Sequence, residues 1–435
     1  MKNLLIISPH FPPVNAPDMQ RIRQSLPFYR NYGWNPIIVC SDKKYVEGYT
    51  DESLLHTIPD DIEVIRVKGI PYRFTRLFGL GNLGLRSFFN YALSVNKLLK
   101  LRKIDLIFFS TTVFPLLALG SYWKRKFNIP YIIDMQDPWL DYASLDKPKE
   151  LRQKKYWFMH SLDKFLEPIA MKKVDGIISV TQQYIDVLKA RYKNVVDENT
   201  EVITFGYSTN DFKIADKEVI NLNEWNNSKD FIRGVYTGVV NKDMLPVIEI
   251  MFRAIKEILD SGNEELKKIK LFFIGTNYAT GKFVNKMVMP LAEKYGIDNY
   301  IVEVTSRIPY LIALKLIREA NFLLLIGSTN KAYTASKLYP YLYTQKPIFA
   351  IFNKESSVVN ILKKLTPIEP IAFTEKNLEN QVDVVKEYLL NIIKQRNNKL
   401  EVDLNELKNY SAEELTKKQE LFFNRILDRC IKDSE

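Results

Sequence analysis

The sequence predicts an α/β protein built from two doubly wound, Rossmann-like domains, each a parallel sheet covered by helices. Three observations lead there. A chain of 435 residues is too long for one ordinary domain and suits two of roughly 200 residues each. Short apolar runs such as Leu4–Ile7, Pro36–Cys40, Phe322–Gly327 and Ile348–Phe352 alternate with longer stretches of helical spacing, the order of a parallel sheet with crossover helices. The pattern then restarts at Phe231, after the polar, turn-rich segment Asn221–Asp230 (NLNEWNNSKD), which reads as an interdomain linker. The expected division is 1–220, 231–400, and a terminal piece over 401–435.

Composition narrows the function classes. Hydrophobic residues make up 46% and aromatics 12%, enough for two cores, so wholesale disorder is excluded. Two cysteines, Cys40 and Cys430, give no disulfide framework and fit a reducing compartment. With only three histidines, no zinc-ligand spacing arises, and neither a metal nor a cofactor is expected. The apolar run of MKNLLIISPHFPP stops at His10, too soon for a signal peptide, and no stretch nears ~20 unbroken apolar residues. A soluble or peripheral cytoplasmic protein is expected. The net charge of +11 points to nucleic acid, an anionic membrane surface or a phosphorylated ligand. No zinc finger or RNP motif is present and the charge is spread along the chain, so nucleic acid is the weakest of the three.

In the first half, Leu4–Ile7 is a strand whose carboxyl end opens into Ser8-Pro9-His10-Phe11-Pro12-Pro13. Asp18–Tyr32 has helical spacing and ends at Gly33, and Pro36–Cys40 is the next strand. The loop from His10 to Asp18, including Asn15, carries no G-x-G-x-x-G, so a dinucleotide fingerprint is absent. Pro71–Lys103 mixes Arg73, Arg76, Arg86, Lys97, Lys100, Arg102 and Lys103 with Phe74, Phe78, Phe88, Phe89 and Tyr91 around a glycine-rich middle. Such a segment either lies on an anionic membrane or packs one face on the core with a solvated basic face. Asp105–Ser110 and Tyr131–Ile133 are strands. The loops after them, Ser110-Thr111-Thr112 and Asp134-Met135-Gln136-Asp137-Pro138-Trp139, face the ligand side of such a sheet. Asp134 directly ends its strand and reads as structural, which leaves Asp137 for chemistry. A helix over Trp157–Lys173 and a strand over Ile177–Val180 follow.

The second half runs Phe231–Tyr236 as a strand with Gly238 and Lys242 behind it, a helix over Pro246–Leu259, and a strand over Lys270–Gly275. A helix over Lys282–Tyr295 and a strand over Ile301–Val304 come next, and Arg307-Ile308-Pro309 opens a helix through Ala320. Between the strands Phe322–Gly327 and Ile348–Phe352 lies YTASKLYPYLYTQKP. There Thr334 or Ser336 can cap a helix with Lys337 in its first turn, grouping N–H donors, a hydroxyl and an ammonium as a phosphate requires. Tyr410–Leu427 is a terminal amphipathic helix.

SKLYPYLYTQKPIFAI resembles the donor-site helix of family-four glycosyltransferases of the GT-B fold, where SKLFEYLAAGKPVLA is usual. KVDGIISVT … ITFGYSTNDF and DMQDPW resemble further motifs of that family. The resemblance spans most of the chain and implies a GT-B fold with two domains facing a cleft and a terminal helix crossing back to the first. It implies donor-binding roles for Gly238, Lys242, Arg307, Ile308, Ser336, Lys337 and Leu338. It implies catalytic roles for His10 and Asp137, and an acceptor side at Asn15, Asp18, Thr111 and Thr112. The chain departs from the pattern at Pro340 and Ala332, where the family carries a pair of glutamates, and it lacks the arginine that follows Gly238 in the family. The implied activity is metal-independent, retaining transfer of a sugar from a nucleotide sugar to a cell-surface polysaccharide or lipid-linked glycan. The alternatives are a non-catalytic GT-B binding subunit, which would bind no nucleotide, and a sugar-nucleotide epimerase, which would need no acceptor.

Overall fold

The computed structural model describes residues 1–75, 81–140, 156–277, 285–330 and 335–432, the side chains of 156–158 excepted. They form two compact units, 1–205 with 412–435, and 206–411. The first sheet comprises β1 (Lys2–Ile7), β2 (Trp34–Ser41), β3 (Glu63–Val67), β4 (Leu106–Ser110), β5 (Tyr131–Met135), β6 (Gly176–Ser179) and β7 (Thr200–Val202), in the order β3-β2-β1-β4-β5-β6-β7. The second comprises β8 (Ile232–Thr237), β9 (Ile269–Ile274), β10 (Ile301–Val304), β11 (Phe322–Ile326), β12 (Ile348–Asn353) and β13 (Ile371–Phe373), in the order β10-β9-β8-β11-β12-β13. Every pairing is parallel.

The strands are continuous apolar runs because both faces are covered. Alternation along β1 shows how. Leu5 and Ile7 enter a core with Val95, Leu98 and Trp123, while Leu4 and Ile6 point the other way, to Ile22, Trp34 and Phe423. That second face is closed by the terminal helix Ala412–Lys432, whose Phe423 ring meets Trp34 edge-on at 5.6 Å and Phe108 at 5.0 Å. In the second unit, the helix Leu245–Asp260 buries its apolar stripe on one face of the sheet, and the helices Tyr310–Glu319 and Leu338–Thr344 cover the other.

Three elements differ from expectation. The helix over Asp18–Tyr32 is broken into a 3-10 turn Pro17–Met19, an α-helix Gln20–Ser25 and a second 3-10 turn Tyr29–Tyr32, because Pro27 lacks the N–H that would continue the ladder. The segment 221–230 lies inside the second unit: Trp225 is buried against Phe272 with ring centroids 5.0 Å apart, and the Arg233 guanidinium sits 4.1 Å from the Trp225 ring. An aromatic core anchor outweighs the polar composition around it. The helix placed over Lys282–Tyr295 spans Met289–Lys294, and residues 278–284 lie outside the described residues.

In both sheets the strand order reverses once, between β1 and β4 in the first and between β8 and β11 in the second. Loops leaving the carboxyl ends of strands flanking such a reversal diverge and leave a crevice, which is where open α/β sheets bind ligands.

Candidate functional site

At the first reversal, the loop after β1 brings His10 and Asp18 together. His10 Nδ1 lies 2.9 Å from both carboxylate oxygens of Asp18. Asp18 is 3% exposed, and its Oδ2 also accepts from Thr111 Oγ1 at 3.0 Å, Thr112 N at 3.0 Å and Thr112 Oγ1 at 3.2 Å, all from the loop after β4. A carboxylate only accepts, so Nδ1 carries the proton and Nε2 is left as the ring's acceptor. Burial opposes charging of His10, but the Asp18 charge and hydrogen bond outweigh it and hold the imidazole above its usual pKa. Asp18 also resists burial's upward push, and its bonds to His10, Thr112 and Thr111 keep it below the usual carboxylate range.

Beneath this pair, Gln136 Nε2 donates to the Asp18 carbonyl at 3.0 Å and to Asp134 Oδ2 at 2.7 Å. Asp134 Oδ2 further accepts from Ser110 Oγ at 2.8 Å and Arg21 Nε at 2.8 Å. Arg21 in turn donates to the Ile203 carbonyl at 2.6 Å, so one network ties β4, β5 and the segment after β7 to the His10 loop. Asp134 is therefore structural. Asp137 is exposed in the next loop, and desolvation of its carboxyl, then the Asp18 charge, raises its pKa. Asp18 and Thr111, expected on the acceptor side, are buried, Asp18 against His10 and Thr111 against Asp18. Thr112 is half-buried, and Asn15 is tied down through its backbone N–H to the Tyr49 carbonyl at 2.9 Å.

At the second reversal, β8 ends in Tyr236-Thr237 and is followed by Gly238, and Lys337 arrives from the segment after β11. Lys337 Nζ stands 3.6 Å from the centroid of the Tyr236 ring. Gly238 has φ +124°, a backbone conformation that favours glycine, and a Cβ there would lie 2.9 Å from that same Nζ. Tyr236 Oη donates to the Val239 carbonyl at 2.9 Å, fixing the loop, and Tyr341 Oη accepts from Thr237 N at 3.0 Å. Among the described residues no carboxylate pairs with Lys337, and desolvation pushes its pKa down to about 7. The ring face is the contact that partly offsets the desolvation of this ammonium.

The expected cap is different: Lys337 itself is the N-cap residue of the helix Leu338–Thr344, no side chain caps it, and Thr334 lies outside the described residues. Ser336 is exposed beside Lys337, and Leu338 is buried as a core residue. Pro340 sits in the first turn, and Ala332 lies outside the described residues. Lys242 is exposed at the start of a 3-10 turn Lys242–Met244 that Asn241 caps. Arg307 and Ile308 stand in the loop after β10, at the edge of the sheet and two strands from β8. Neither Tyr236, near the end of β8, nor Tyr341, within the helix Leu338–Thr344, carries a signal in the sequence of what lies beside its ring.

Residues 33–211 match the model of Glycosyltransferase Family 4. No curated protein matches the sequence. Over the whole chain, the structure is similar to that of HepE (Alr3699) from Anabaena, solved in complex with UDP and glucose, with a TM-score of 0.56, 11% identity, and 100% of this chain and 99% of that one covered. It is similar to the lipopolysaccharide outer core galactosyltransferase WaaB in its apo form, with a TM-score of 0.54, 11% identity, and coverage of 98% and 99%. It is similar, too, to a UDP-N-acetylglucosamine 2-epimerase homologue from Listeria monocytogenes, with a TM-score of 0.54, 11% identity, and coverage of 96% and 95%. The chain thus has the GT-B fold of these neighbours, and part of it is similar to Glycosyltransferase Family 4. Nearly all of the segment that matches the family-four model lies in the first unit.

Proposed function

We propose that this chain transfers a sugar from a nucleotide-sugar donor to a hydroxyl of a lipid-linked or cell-surface glycan, at the cytoplasmic face of a membrane. The observation that carries the reading is Lys337, an ammonium without a carboxylate partner among the described residues, packed on Tyr236 beside a glycine that leaves room at its Nζ. Departure of a nucleoside diphosphate concentrates negative charge on phosphate oxygens, and a desolvated cation stabilises that charge far more than a solvated one. The acceptor hydroxyl must be aimed and lose its proton, and we assign this to His10 Nε2 and Asp137. Asp18 keeps the tautomer that leaves Nε2 free to accept. Gly238, Lys242, Arg307, Ile308, Ser336 and Leu338 are assigned to the donor's surroundings, and Asn15 and Thr112 to the acceptor's.

The family-four match over residues 33–211 and the UDP-and-glucose complex of HepE support a nucleotide-sugar donor. The family resemblance supports retention of anomeric configuration. The test is incubation with UDP-, GDP- and ADP-sugars, with and without a lipid-linked glycan fraction, followed by NMR of the product. Acceptor-dependent release of one nucleotide, with a product linkage of the donor's own anomeric configuration, is the expected result. Conversion of the donor to its epimer without any acceptor would replace this reading with the epimerase one.

A further inference from the structure

From Lys68 to Ile104 the chain holds eight lysines and arginines and no aspartate or glutamate. Arg76 lies outside the described residues, and the structure sorts the other seven cations into two groups. Arg86 pairs with Glu47, Arg102 with Glu63, and Lys103 with Asp105. Lys68, Arg73, Lys97 and Lys100 are exposed and have no acidic partner among the described residues.

These four cations border an apolar surface that the first unit leaves uncovered. The helix Leu83–Leu101 buries Tyr91, Val95, Leu98 and Leu99, whereas its outer stripe at i, i+4, i+8 and i+12 is Phe89, Leu93, Lys97 and Leu101. Phe89 is 77%, Leu93 68% and Leu101 71% exposed. The segment before the helix extends the same surface: Ile70 is 49% and Phe74 55% exposed. It is held there by Ile70 N donating to the Arg86 carbonyl at 3.0 Å, Arg86 Nη1 donating to the Ile70 carbonyl at 2.9 Å, and Asn90 Nδ2 donating to the Lys68 carbonyl at 2.7 Å. Isolated exposed apolar residues are ordinary, but five large ones fall on two tethered elements, with Phe89 and Leu93 one turn apart on the helix. No described helix is long and apolar enough to cross a membrane, so the patch is not part of a spanning segment.

We propose that this face, with Ile70, Phe74, Phe89, Leu93 and Leu101 as the apolar contact and Lys68, Arg73, Lys97 and Lys100 as the charged one, docks the protein on an anionic lipid bilayer. Charge complementarity selects that occupant. An anionic leaflet attracts unpaired lysines and arginines over about a Debye length, and Phe and Leu side chains on the same stripe enter the interface once the surface is reached. A second copy of this chain would bring the same positive face against itself, which opposes a symmetric dimer. The function of the contact rests on the glycosyl-transfer reading, which needs a glycan carried by a lipid. The contact itself does not.

The experiment is co-sedimentation of the full chain with phosphatidylcholine vesicles and with vesicles containing phosphatidylglycerol, at low and high salt. Wild-type protein is expected to bind the anionic vesicles, to release at high salt, and to bind neutral vesicles far more weakly. The double variants Phe89→Ser/Leu93→Ser and Lys97→Glu/Lys100→Glu are each expected to weaken binding by about tenfold or more, consistent with the contribution of each interfacial cation. Melting temperatures and nucleotide titrations of both variants are expected to match wild type, because the substituted side chains lie on the surface of the first unit. Failure to bind anionic vesicles, or equal binding by wild type and both variants, overturns the proposal. Vesicle binding without any nucleotide binding would uphold the docking surface while removing the glycosyl-transfer reading.

Discussion

His10 titrates above its usual range only because Asp18 outweighs the cost of burying its charge. Asp18→Asn removes the charge and keeps the shape, so the His10 ring resonances are expected to titrate at lower pH in the variant, as NMR of the chain's three histidines can follow. The linkage has a sign. A raised histidine pKa stabilises the fold below the unfolded value near 6.5, and that contribution is lost as pH rises through the folded pKa. Lys337 has the opposite character. Its pKa of about 7 lies below the unfolded lysine value, so the unfolded chain binds more protons between the two and stability rises with pH there. Lys337→Met is expected to raise the melting temperature of the ligand-free protein, most at pH below 7, while abolishing anion binding. At this scale the sequence showed which residue types stand at the strand ends. It did not show that Asp18 faces inward, because its other partners, Thr111 and Thr112, are 93 and 94 residues away.

The terminal helix Ala412–Lys432 was legible as an amphipathic stretch, and its buried face is what closes the first sheet. Two residues test that role. Phe423 is fully buried among Tyr29, Trp34 and Phe108, and Phe423→Ala should cost about 3–5 kcal/mol in chemical denaturation. Gln419 is buried too: its Oε1 accepts from Tyr29 Oη at 2.7 Å and its Nε2 donates to Ser25 Oγ at 3.0 Å. Gln419→Leu leaves both hydroxyls short of a partner and should cost about 1–3 kcal/mol. The break in the helix after Gln20–Ser25 was harder to read, because its apolar spacing continues through Pro27 and spacing alone does not register a missing N–H. Trp225 hid in the same way, one apolar anchor within a polar run.

Across the whole molecule, the two sheets repeat one arrangement: three strands laid outward on one side, a reversal, then strands laid outward on the other. Alternating apolar runs made that architecture legible, since fully buried parallel strands leave no polar positions to blur the pattern. Nearly all of the segment matching Glycosyltransferase Family 4 falls in the first unit, whereas Lys337 falls in the second. The glutamates that accompany the donor helix in the resembling family are replaced by alanine and proline here. In the proposed reading donor capture rests on Lys337 and the Gly238 turn, and this is the claim to test most directly. Calorimetric titration with UDP, GDP, ADP and CMP, at pH 6.5 and 8.5, should find one nucleotide that binds, more tightly at the lower pH where Lys337 is charged. Lys337→Ala should weaken that binding by at least about tenfold, the loss of one charged hydrogen bond. Binding that is indifferent to both pH and Lys337, or no nucleotide binding at all, would contradict the account.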